Sequence, residues 1–129
     1  MMKWRNLVWI IAVLAIGQMS CQNEPGGRKA LAGTWEGYWG FDFDTPTYYE
    51  KWEIKKNNTL LAYDEDGILI AKGEWKLKGL DFEVIYTPTG ANYTYTFSGL
   101  YHDLLGEIIG TWGETPSKAN GGTFEMYKK

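Results

Sequence analysis

The sequence predicts an all-β domain, an eight-stranded antiparallel up-and-down β-barrel, preceded by a signal peptide and a flexible spacer. Three observations predict it. Apolar and polar residues alternate with period two through eight segments, as in strands with one dry and one wet face. Short turn signals such as Asn57-Asn58 and Asp66-Gly67 separate the segments. Apolar side chains at helical spacing are nearly absent beyond the leader.

The segments follow in order. The first, 33–41, turns Trp35, Gly37, Trp39 and Phe41 to one face and Thr34, Glu36 and Tyr38 to the other. In 48–56, Trp52 and Ile54 alternate with Lys51, Glu53 and Lys55. Segment 59–64 ends at the Asp66-Gly67 turn. Segment 68–78 sets Leu69, Ala71, Gly73, Trp75 and Leu77 against Lys72, Glu74, Lys76 and Lys78. Phe82, Val84 and Tyr86 share a face of 81–87, and Tyr93, Tyr95, Phe97, Gly99 and Tyr101 share a face of 92–101. The seventh, 104–113, carries Leu104, Gly106, Ile108, Gly110 and Trp112 on one face; the last, 123–128, points Phe124 and Met126 inward.

Joined sequentially by hairpins, such strands favour a closed ring, because closure removes the edges that invite aggregation. A two-sheet sandwich would need long crossovers. Five glycines, Gly37, Gly73, Gly99, Gly106 and Gly110, fall on the apolar face. They are expected to relieve sharp coiling and to open room in the interior.

The N-terminus reads as an export signal. Lys3 and Arg5 precede an apolar run from Leu7 to Ile16, then small and polar residues, then Cys21. The run is shorter than the roughly 20 residues that span a bilayer. Cys21 is the only cysteine, so it has no intramolecular disulfide partner. Its setting, with Ser20 before it, resembles the lipobox of bacterial lipoproteins, although Gln18 stands where an aliphatic residue is usual. The resemblance implies lipidation at Cys21 and a stable tether to the membrane of the bacterial cell envelope, on the outer membrane or the periplasmic face. The chain therefore divides into a leader (1–20), a lipidated cysteine and spacer (21–30) and a barrel domain (31–129).

The first segment opens Gly33-Thr34-Trp35, and the pattern returns as Gly37-Tyr38-Trp39, Gly73-Glu74-Trp75 and Gly110-Thr111-Trp112. This resembles the Gly-x-Trp that begins the barrels of lipocalins and fatty-acid-binding proteins, and the opening of avidin-type barrels. Over residues 31–126 the chain most resembles the small lipocalin-like (calycin-type) lipoproteins of Bacteroidetes-type bacteria. It departs from true lipocalins in two respects. Lys128 and Lys129 stand where an arginine packs over the first tryptophan, and residues 116–122 cannot form the usual helix before the last strand. The resemblance implies the barrel and, less directly, ligand binding.

Without the leader, which takes Lys3 and Arg5, 11 of the 13 basic residues remain against 16 acidic ones, a net of −5. That balance argues against nucleic acid and against electrostatic attraction to anionic lipid, leaving the acyl chain as the membrane link. No nucleophile elbow or zinc-ligand set is present, and the reading is of a protein that is not an enzyme and needs no metal or cofactor. His102-Asp103 reads as a turn pair rather than a base with its orienter. Asp64-Glu65-Asp66-Gly67 reads as a solvated hairpin turn rather than a calcium loop, and Asp42 with Asp44 as loop carboxylates.

The aromatic face is the feature able to carry function. Trp35, Trp39, Trp52, Trp75, Tyr93, Tyr95 and Trp112 are the candidate ligand-binding residues. They would bind a small hydrophobic or aromatic ligand, their flat faces suiting a sterol, a fatty acyl chain, an aromatic cofactor or a sugar. The competing expectation is that these rings fill the barrel, and the protein then acts as an interaction module, an inhibitor or envelope assembly factor. Tyr38, Tyr48, Tyr49, Tyr63 and Tyr127 fall on wet or end positions by parity.

Overall fold

The computed structural model describes residues 28–129, so the leader, Cys21 and the first part of the spacer lie outside the described residues. A single helical turn, α1 (Arg28–Leu31), leads into eight strands: β1 (Gly33–Phe41), β2 (Tyr48–Ile54), β3 (Thr59–Tyr63), β4 (Leu69–Lys78), β5 (Asp81–Pro88), β6 (Tyr95–His102), β7 (Glu107–Glu114) and β8 (Gly122–Lys128). Each pairs antiparallel with its neighbours in sequence, and β8 pairs with β1, closing the barrel. The eight-stranded up-and-down ring expected from the alternation is the architecture.

Closure gives the barrel two ends. One, the mouth, bears the loops after β1, β3, β5 and β7. The other, the base, bears α1, the turns after β2, β4 and β6, and the last residues of β8. At the base, Leu31 is fully buried and its carbonyl accepts the indole N–H of Trp35 at 2.8 Å. Lys128 Nζ donates to the Ala30 carbonyl. α1 takes in the last residues of the expected spacer and ends on Leu31, which is seated in the core.

The strands end where their chemistry changes. Asn58, at φ 73°, turns the chain between β2 and β3, and Gly67, at φ 79°, does so between β3 and β4. Asp64 Oδ1 accepts the backbone N–H groups of Asp66 and Ile68, which assigns that acidic run to a turn. A register shift between Ala62 and Tyr63 pairs Tyr63 with Leu69, so Leu69 faces solvent and Ile70 packs against the core instead. Leu104 was expected on the inner face; it lies in the turn 103–106 and is 97% exposed.

The core is aromatic. Trp52 stacks on Phe82 at 6.0 Å and meets Phe97 edge-on at 5.4 Å and Phe124 at 5.7 Å, and Trp75 stacks on Phe82 at 6.4 Å. The inward glycines do not open room among these rings. Gly99 faces Gly110 across β6 and β7, and a Cβ on Gly110 would lie 2.0 Å from the Ser98 carbonyl oxygen. These glycines let strand backbones coil past each other too closely for a side chain. Gly106 is different: it sits in a turn at φ 64°.

Candidate binding site at the barrel mouth

Seven aromatic residues were expected to line a ligand cavity, and the structure sorts them into two sets. Trp35, Trp52 and Trp75 are 0–2% exposed and packed against other rings or, for Trp35, against α1. The other four gather at the mouth. Trp112 is buried, its Nε1 donating to the Gly40 carbonyl at 2.9 Å. Trp39 and Tyr95 are half-buried, and Tyr93 lies beyond the start of β6 with 44% exposed.

β1 and β2 build this mouth together. Register pairs Trp39 with Tyr48, and their rings stack at 4.8 Å. Phe41 closes a triangle, edge-on to Trp39 at 5.2 Å and to Tyr48 at 5.7 Å. Trp112 meets Trp39 at 5.2 Å and Tyr95 at 5.6 Å, and Tyr93 meets Tyr95 at 5.5 Å. Phe41 and Tyr48 remain 47% and 51% exposed. Parity had put Phe41 inside, but it is the last residue of β1, where an inward-directed ring emerges at the rim.

Beneath these rings lies a group that the sequence reading passed over. Glu50 is 3% exposed, on the inner face of β2. Its carboxylate accepts the Trp52 indole N–H at 2.8 Å and the Tyr86 hydroxyl at 3.0 Å, and Trp39 also hydrogen-bonds to it. Burial pushes the carboxyl up to about 7, and the three hydrogen bonds pull the other way. Burial, with the neighbouring Glu50 charge, also drives the Tyr86 hydroxyl well above its ordinary range. The signal was available: Glu50 lies two residues before Trp52 and four before Ile54, so the same alternation places it inside.

A buried acid with a raised pKa is a familiar mark of a functional centre. Here its hydrogen-bonding neighbours, Trp39, Trp52 and Tyr86, are all donors to it. The arrangement holds two rings of the mouth and core, Trp39 and Trp52, to one anchor. His102 Nδ1 faces Glu107 Oε2 at 3.4 Å across β6 and β7, at the base and far from Glu50 in the ring.

No known protein family, characterised protein or solved structure gives a significant match to this chain. The site must therefore be read from its own geometry.

An open depression of about 750 Å³ lies on the outer wall, lined by Asn58, Thr59, Lys72, Glu74, Lys76 and Thr87, among others. Charged side chains and apolar ones, Trp75 and Ile85 among them, share its lining. The loop charges at the mouth are acidic, Asp42, Asp44, Asp64, Glu65 and Asp66 against Lys118. Any ligand there meets aromatic faces within a negative rim.

Proposed function

We propose that this chain is an exported, lipid-anchored barrel without catalytic activity that binds a small apolar or aromatic ligand at its mouth. One observation carries the reading: Trp39, Phe41 and Tyr48 contact one another yet stay partly open to solvent. Apolar rings in mutual contact at a rim offer flat faces that a ligand can cover, and binding there removes apolar area from water. The lipocalin-like Gly33-Thr34-Trp35 opening and the closed eight-strand ring support a carrier-type barrel. The leader and Cys21 support tethering at the cell envelope. The packed core favours a ligand held at the rim over one held in the interior.

The test is native mass spectrometry of the mature, tagless protein purified from its host. A small-molecule adduct that disappears in Tyr48→Ser supports the reading. A protein that is consistently empty, with tryptophan fluorescence unmoved by flat hydrophobic probes, overturns it.

A second reading has its own observation. Phe43, in the loop after β1, is fully exposed at 101% beside Phe41 and Tyr48. A projecting ring next to a rim of rings suits a protein partner, for which aromatic residues are preferred anchors. Cross-linking in envelope preparations that captures one protein with the wild-type chain and not with Phe43→Ser would favour this reading.

A further inference from the structure

The net charge of the chain conceals a strong separation between the two barrel ends. The mouth loops are acidic. The base carries Lys55 and Lys56 in the turn after β2, Lys78 at the end of β4, Lys128 at the end of β8 and Lys129 after it, against Asp81, Asp103 and Glu107, with Lys129 paired to Glu36 at 3.0 Å. Lys55, Lys56 and Lys78 are exposed and make no ion pair among the described residues.

The same end bears an apolar ridge. Leu80, in the turn after β4, is 59% exposed, and Leu104 and Leu105, in the turn after β6, are 97% and 71% exposed. The two turns are neighbours: the Tyr101 N–H donates to the Leu80 carbonyl at 2.9 Å. Leu100 pairs with Ile109 on the wall just above them, and both are exposed. Lys128 lies against the second turn, its N–H donating to the Gly106 carbonyl at 2.8 Å. Leucines at the tips of turns flanked by unpaired lysines are the composition of a surface that sits in a bilayer interface. The apolar tips enter the acyl boundary and the ammonium groups meet lipid phosphates.

We propose that the base of the barrel docks on an anionic bilayer, with the aromatic mouth facing away from it. Two observations choose a bilayer as the occupant. The charge of the base is complementary to anionic headgroups, whereas the acidic mouth is repelled by them. The described chain also begins at this end, where α1 packs against the base. The contact involves neither the mouth nor an acyl chain, and it stands or falls independently of ligand binding.

The full chain with Cys21→Ser supplies the test. A single environment-sensitive fluorophore is attached through Leu104→Cys in one sample and Tyr93→Cys in another. Each is bound to vesicles of phosphatidylglycerol and phosphatidylethanolamine, and to phosphatidylcholine vesicles for comparison. Docking gives blue-shifted emission and quenching by lipid-borne quenchers at position 104 on the anionic vesicles, weakened by salt. Position 93 stays solvent-like. Leu104 is almost wholly exposed, so its replacement leaves the core intact, and Leu105→Cys provides a second site. Equal solvation at 104, 105 and 93 on bound protein overturns the proposal. So does equal immersion at both ends, or failure to bind the anionic vesicles.

Discussion

Trp52 donates its indole N–H to Glu50 Oε2 at 2.8 Å, two residues back on the same strand, so both side chains point into the barrel. The pair joins the central aromatic stack to a buried acid. Glu50 holds its proton more tightly when folded, at about 7, than the ordinary 4.5 it has when unfolded. The folded state therefore binds the additional proton between these values. Its stabilising contribution is fully present below pH about 4.5 and lost as pH rises through about 7, with a magnitude on the order of 3 kcal/mol. Urea unfolding across this range should show stability falling as pH increases, and Glu50→Gln should flatten that dependence.

Replacing Gly110 by alanine should be severely destabilising. The new Cβ would meet the Ser98 carbonyl oxygen at 2.0 Å and the Gly99 Cα at 2.4 Å, both backbone atoms that cannot swing aside. A cost of roughly 3 kcal/mol or more is expected, at or beyond the top of the overpacking range. A thermal melt checks it, with Gly67→Ala as a contrasting case: no atom lies within 4 Å there, but the residue sits at φ 79°, so its cost arises from the backbone alone.

Trp35→Phe should loosen α1 while leaving the ring closed. The indole N–H that holds the Leu31 carbonyl is lost, leaving a buried acceptor without that donor, at a cost of about 1–3 kcal/mol. Amide exchange should accelerate around residues 28–35 more than in β4 to β6. Trp35→Ala removes the ring itself and should cost about 3–5 kcal/mol.

Phe43→Ser should leave the melting temperature nearly unchanged, within about 0.5 kcal/mol of the wild type, since the ring is fully exposed. Trp39→Ala should cost more, because it removes a partner of Glu50 along with contacts to Tyr48, Phe41 and Trp112. Comparing the two by calorimetry separates a ring that serves only surface contact from one that also supports the fold.

The architecture was legible because period-two alternation holds through most of the strands; Phe82, Val84 and Tyr86, or Phe124 and Met126, needed only parity to be placed. Misplacements fall where a strand stops. Leu104 and Tyr93 continue the alternation in sequence but lie in a turn and a loop, and alternation cannot say where pairing ends. Leu69 slipped out through the register shift at Ala62 and Tyr63, a tertiary irregularity without a local signature. Glu50 obeyed the rule and was overlooked because a charged residue is assigned to solvent by habit. The separation of lysines from aspartates was illegible for a different reason: it exists only once the strand order decides which turns share an end.

The seam between β1 and β8 sets a schedule for the protein. Gly37 finds its partner Met126 across 89 positions of sequence, counted from 37 to 126, so this pairing is among the most distant contacts in the ring. Until β8 arrives, β1 presents a bare edge and Trp39 lacks its opposite number Phe124. Completion of the ring must therefore be a late, slow event, since distant pairings bear the greatest loop-closure entropy. A chain still emerging from a ribosome is held open by its own topology until its last strand has been made.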